Sequence, residues 1–181
     1  MMANFNTSFT VSSYNCRGFN SIKSRYNASL LARCNILFLQ EHWLADGQLN
    51  ILASISENSI SENMSYTAVS GFDCDDVLVG RPFGGCAILW QANLLASVCP
   101  IKVDSRRVCA VRVCFDAWNL LLINVYMPYE DGTENLDEFV NTLSLIEAIV
   151  DNNRDGHVML GGDFNVDFCR DWTHCFTQQF L

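Results

Sequence analysis

His157-Val158-Met159-Leu160-Gly161-Gly162-Asp163-Phe164-Asn165-Val166-Asp167 is the segment from which the rest of the chain can be read. Val158, Met159 and Leu160 form a short apolar run, which predicts a buried strand too short to be a helix. Gly161 and Gly162 are expected to break it, because they add backbone freedom and carry no side chain to obstruct a nearby group. Asp163 and Asn165 follow, two residues apart. Two short oxygen-bearing side chains just beyond a rigid strand suit a preorganised polar site. Taken alone, the segment favours an Asx-turn that only satisfies backbone amides, because such turns are common. An EF-hand calcium loop is excluded. Asp163-x-Asn165-x-Asp167 matches its opening, but the sixth position must be Gly and is Phe168, and the twelfth should be Glu and is His174.

Outward from this segment, the pattern is one of strands that end in polar groups. Glu134 to Asn152 predicts a helix with Leu136, Phe139, Val140, Leu143, Ile146, Ile149 and Val150 on its buried face. Asp137 and Glu138 near its start complement the helix dipole. Before it, Asn119 to Tyr126 predicts a strand ending at Tyr126-Met127-Pro128-Tyr129. Val108 to Phe115 and Leu94 to Ile101 predict two more, antiparallel to each other, and Gly84 to Trp90 leads into another. Residues 59–82 are mixed, with Asp73-Cys74-Asp75-Asp76 expected as a solvated loop, and 47–58 are a weakly patterned helix candidate. Ile36-Leu37-Phe38-Leu39, apolar throughout, predicts a strand buried on both faces that delivers Gln40, Glu41, His42 and Trp43 to its end. Ile22 to Cys34 predicts a helix capped by Asn20 or Ser21, burying Ile22, Tyr26 and Leu30. The alternation over 8–14 predicts a first strand ending at Tyr14-Asn15-Cys16-Arg17-Gly18. A strand–helix–strand unit leaves its strands parallel, with Asn15 and Glu41 on one rim.

Composition bounds the function. The 181 residues fit one domain with a sizeable core, and half of them being hydrophobic excludes a disordered chain. The formal net charge is −9, and no Lys/Arg-rich run exists to track phosphates non-specifically. A nucleic-acid partner would therefore require a local site, with metal ions offsetting charge. No apolar run approaches a membrane span and no signal peptide is evident, which predicts an intracellular protein, cytoplasmic or nuclear. The nine cysteines include no C-x-x-C pair, and Cys169, His174 and Cys175 lack zinc-site spacing, so buried free thiols are expected.

Four polar-ended segments now stand in order: Tyr14-Asn-Cys-Arg-Gly18, Leu39-Gln-Glu-His-Trp43, Asn124-Val-Tyr-Met-Pro128 and Gly161-Gly-Asp-Phe-Asn165. Together they resemble the successive motifs of the endonuclease/exonuclease/phosphatase superfamily, the DNase I-like fold, over about residues 9–168. Their wording is most similar to the endonuclease domains of non-LTR retrotransposons. The resemblance implies an α/β sandwich of two sheets with outer helices, and phosphodiester hydrolysis with Mg²⁺, or Mn²⁺ in its place. It implies metal binding by Glu41 with Asn15, and phosphate contacts by Asn15, Tyr126 and Asn165. Asp163 would orient or deprotonate the attacking water, making Asp163, Asn165 and Tyr126 the catalytic set. DNA is the implied partner, and a full-length relative would add a reverse transcriptase domain.

Two departures from the family pattern stand out. Residue 129 is Tyr where family members carry Asn. The later strands and the closing Asp–His pair, expected well beyond Gly-Asp-x-Asn, find no match, and Asp171 and His174 come too early to supply it. The resemblance therefore predicts a C-terminally truncated domain with weak or no activity. Two alternatives stay open: a non-catalytic binding module, and a phosphoinositide or sphingomyelin phosphodiesterase of the same superfamily.

Overall fold

Two four-stranded sheets face each other with helices on the outside. A computed structural model describes residues 9–57, 64–72, 82–129 and 135–166. The first sheet has the order β1 (Val11–Asn15), β2 (Ile36–Gln40), β4 (Cys86–Gln91) and β3 (Met64–Val69). The second has the order β5 (Ser97–Ile101), β6 (Val108–Cys114), β7 (Asn119–Tyr126) and β8 (His157–Asp163). Strands β1 and β2 are parallel through helix α1 (Ser21–Leu31), and β7 and β8 are parallel through helix α3 (Leu136–Asp151). All other pairings are antiparallel. Each parallel pair ends its two strands on the same rim, which is why Asn15 lies beside Gln40 and Tyr126 beside Asp163.

The pleat of β2 explains its unbroken hydrophobicity. Ile36 and Phe38 face the second sheet and pack with Ile88, Val111 and Leu122, while Leu37 and Leu39 face outward onto Ala28, Leu31, Leu52 and Ile55. Helix α3 covers the other side of the second sheet, burying Phe139, Ile146 and Ile149 against Leu121, Ile123 and Val125. Three apolar layers thus separate four layers of structure. No helix among the described residues is long and apolar enough to cross a membrane.

Several local expectations are corrected. Ile22 and Tyr26 of α1 are exposed, at 77% and 49%; the helix instead buries Ser24, Asn27, Ala28 and Leu31. The small side chains let the helix lie close to the sheet, a fit that a count of apolar spacings does not register. Asn20 is the N-cap, its Oδ1 accepting the Lys23 N–H at 2.9 Å. Val140 lies on the exposed side of α3, where Thr142 takes a buried position. Val158, Met159 and Leu160 are not buried, at 43%, 41% and 37% exposure, and among the described residues β8 is the outermost strand of its sheet. Nor do the glycines end that strand: Gly161 and Gly162 pair in register with Asn124 and Val125, and the strand runs on to Asp163. The segment near 47–58 is a 3₁₀ helix (Asp46–Ala53) followed by one turn, α2 (Ser54–Glu57). β3 emerges from the stretch read as mixed. Cys16, Cys34, Cys86 and Cys109 are buried free thiols, whereas Cys99 is exposed. Asp73, Asp75, Asp76, Asp167, Cys169, Asp171, His174 and Cys175 lie outside the described residues.

Candidate active site

Each segment that closes a strand on this rim brings one functional side chain, and a dense set of backbone bonds fixes the segments together. The turn after β1 is zipped to the turn after β2: Cys16 N donates to Gln40 O at 2.9 Å, Gly18 N to Glu41 O at 2.7 Å and Phe19 N to His42 O at 2.9 Å. Lys23 closes the first turn, its Nζ donating to the carbonyls of Cys16 and Arg17 at 2.5 and 2.6 Å. The turn after β7 is tied to β8 by Met127 N donating to Asp163 O at 2.8 Å. Among the described residues, the non-glycine residues with positive φ are Arg17, Glu41, Trp43 and Asn165, all in these turns. Such conformations cost free energy and persist only where surrounding contacts enforce them, as they do around functional sites.

The side chains converge. Asn15 Nδ2 donates to Glu41 Oε1 at 2.7 Å and to Asp163 Oδ2 at 2.6 Å, linking residues 148 apart in sequence and belonging to different sheets. The second oxygen of Glu41 accepts from Trp43 Nε1 at 3.1 Å. The Tyr126 side chain lies close enough for the charges of Glu41 and Asp163 to act on its hydroxyl. Burial, followed by the charge of Glu41, raises the Tyr126 pKa to about 12, so its hydroxyl keeps its proton and is a donor at neutral pH. Asn165 N donates to Asp163 Oδ1 at 3.1 Å, and Asn165 Nδ2 donates to Met127 O at 2.7 Å. The Asx-turn and the polar site are therefore one structure: Asp163 uses Oδ1 for the turn and Oδ2 for the site. Asn15, Glu41, Tyr126 and Asp163 form one cluster, with Asn165 holding its edge.

Oxygen donors suited to a hard cation sit here. Glu41 and Asp163 share a single amide, and among the described residues no Lys, Arg or His forms an ion pair with either. Two carboxylates that converge on one amide, with no ion-pair partner among the described residues, offer oxygen ligands to a cation. No described cluster of three or more His, Cys, Asp or Glu forms a closed metal cage. That donor set fits Mg²⁺, which binds through one or two carboxylates and otherwise keeps water or phosphate oxygens. The neighbouring His42 is not a ligand. Its Nε2 faces Val69 O at 3.0 Å and its Nδ1 accepts from Leu44 N at 3.1 Å, and burial lowers its pKa to about 4.

Behind the cluster lies a buried polar link between the sheets. Asn124, in the middle of apolar β7, donates from Nδ2 to Leu39 O and Ala87 O of the first sheet, both at 2.9 Å. Its Oδ1 accepts from Gln40 Nε2 at 2.6 Å. Gln40 precedes Glu41 and Asn124 is two residues before Tyr126, so the link ties together the strand ends that carry both. Trp43, His42, Gln40 and Asn124 received no role from the sequence. One signal for Asn124 was available: a lone amide inside Leu120-Leu-Leu-Ile-Asn-Val125 has to find buried hydrogen bonds.

Residues 12–180 match the model of the Endonuclease/Exonuclease/phosphatase family. The chain belongs to that family. No curated protein sequence matches it. Among solved structures it is similar to the 3′ phosphatase NExo from Neisseria bound to a product DNA hairpin, with 18% identity and a TM-score of 0.64 over 96% of this chain and 69% of that one. It is similar to the endonuclease domain of TRAS1, a telomere-specific non-LTR retrotransposon, with 13% identity and a TM-score of 0.59 over 95% and 67%. Humanized TDP2 of D. rerio, carrying 14 mutations, gives 18% identity and a TM-score of 0.55 over 88% and 63%. At these identities the likeness establishes the fold, the DNase I-like α/β sandwich. The chain spans 63–69% of the length of these three neighbours.

Proposed function

We propose that this chain carries the metal-binding and water-activating half of a nucleic-acid phosphodiester hydrolase of retroelement endonuclease type. The reading rests chiefly on the Asn15 amide that joins Glu41 to Asp163, with the Tyr126 hydroxyl beside them. Further support comes from membership of the family and from likeness to a retrotransposon endonuclease domain and to a phosphatase bound to a DNA product.

Glu41 would hold Mg²⁺, with Asn15 alongside. When bound, the ion supplies charge neutralisation at the phosphate and at the leaving oxygen. The remaining work falls to this chain's own groups. Asp163 Oδ2, bonded to the Asn15 amide at 2.6 Å, would accept a hydrogen bond from the attacking water and take its proton. Tyr126, protonated at neutral pH, donates to a non-bridging phosphate oxygen. Asn15, released from one carboxylate when substrate enters, offers its N–H to the same phosphate. Asn165 positions Asp163 through its backbone N–H and anchors the turn to Met127 O. Trp43 fixes the carboxylate plane of Glu41.

The test is nicking of supercoiled plasmid by the purified chain in Mg²⁺, compared with Asp163→Ala and Glu41→Ala. Weak nicking that both substitutions abolish is the expected result. Nicking that persists in Asp163→Ala would overturn the assigned chemistry, and a folded chain that binds Mg²⁺ and DNA without cutting would make it a binding module.

A further inference from the structure

Next to Tyr126 the rim opens into a cavity of about 610 Å³, bounded by Gly71, Phe83, Gly84, Arg106, Tyr126 and Tyr129 among others. That size lies within the roughly 300–1,000 Å³ range of small-ligand sites. Two large aromatic side chains stand at it largely in solvent, Phe83 at 55% and Tyr129 at 57% exposure.

Two backbone segments pack tightly beside it. A Cβ on Gly71 would lie 2.4 Å from Phe83 O and 2.7 Å from Gly84 Cα. Gly84 has φ +72°, and a Cβ there would lie 3.1 Å from Gly71 Cα. This close packing fixes the position of Phe83 at the edge of the cavity. Charge on the opposite side is balanced internally: Arg107 grips Glu138 through Nε and Nη2 at 2.6 and 2.9 Å, with its guanidinium 5.4 Å from the centre of the Tyr126 ring. That pair removes a carboxylate's repulsion of phosphate.

We propose that this cavity receives an unpaired nucleotide adjacent to the cleaved phosphodiester, its base stacked on Tyr129 and Phe83, so that the chain prefers single-stranded or frayed nucleic acid. The proposal rests on the functional reading above and deepens it. A base inside a duplex has both faces covered by its neighbours, so only an unpaired one can use these rings. Stacking also substitutes for what the chain lacks. With a net charge of −9 and no basic run, it cannot hold a regular duplex by phosphate contacts alone. Base–aromatic stacking is tolerant of sequence and adds binding that phosphate contacts do not supply.

The experiment is fluorescence anisotropy of one oligonucleotide, offered as single strand and as blunt duplex, with Ca²⁺ replacing Mg²⁺ to prevent turnover. A 2-aminopurine in the strand reports stacking. Wild type should bind the single strand more tightly and quench the probe. Tyr129→Ala and Phe83→Ala should each weaken single-strand binding by roughly 5- to 100-fold, the span of one lost stack, and leave duplex binding unchanged. Tyr129→Phe should retain wild-type affinity and quenching. Full single-strand affinity in both alanine variants would overturn the stacking proposal while leaving the nuclease reading intact. A wild type that binds neither form would overturn both.

Discussion

Replacing Asn124 by alanine tests whether the buried link between the sheets holds the site together. Asn124 and Gln40 are 0% and 1% exposed, so no water replaces what is lost. Three hydrogen bonds disappear: Nδ2 to Leu39 O, Nδ2 to Ala87 O, and Gln40 Nε2 to Oδ1. At about 1 kcal/mol net for each, the loss is ~3 kcal/mol, because Gln40 Nε2 keeps its bond to Ser13 Oγ at 3.1 Å. With a urea slope of ~2 kcal/mol/M, the unfolding midpoint should fall by ~1.5 M. A mutant cycle isolates the pair. Gln40→Leu and Asn124→Leu should each destabilise, but together should cost less than their sum, because removing both partners leaves no unpaired amide behind. Urea unfolding followed by tryptophan fluorescence and by circular dichroism measures all four proteins. A shift in Asn124→Ala smaller than ~0.3 M, the size expected of an innocuous surface change, would refute the reasoning. So would leucine variants whose effects simply add.

Further outcomes follow from other parts of the rim. Gly162 has φ +135°, and a Cβ on it would lie 2.0 Å from Val125 O, so Gly162→Ala should lower the melting temperature by ~10 °C; a drop under ~3 °C would contradict this. His42 is neutral when folded, with a pKa of about 4 against an ordinary 6.5, so the unfolded chain binds the extra proton between these values. Its contribution, ~3 kcal/mol, is present above pH 6.5 and drains away as pH falls toward 4. Stability measured against pH should lose that part of its slope in His42→Gln, and an identical slope would count against the assignment. Trp43→Phe removes the donor to Glu41 Oε2 and should weaken Mg²⁺ binding ~10-fold by calorimetry, whereas unchanged affinity would show that Trp43 only packs.

The sequence determined the frame of this protein because the frame is written in local rules. Ile36–Leu39 had to be a strand covered on both faces, Asn119–Tyr126 matched its strand residue for residue, and a strand–helix–strand unit had to leave Asn15 and Glu41 on one rim. The four polar-ended motifs in order then identified the family. What local pattern could not carry was anything set by a neighbour distant in the chain. Val158–Leu160 has the composition of a core strand and lies at a sheet edge, because burial depends on which strand stands beside it. Ile22 and Tyr26 have helical spacing and lie exposed, because the side of α1 that meets the sheet is the one carrying Ala28 and Leu31. The meeting of Glu41 with Asp163 through Asn15 was likewise decided only in three dimensions, since the two carboxylates reach the rim on different sheets and only the packing of those sheets brings them together.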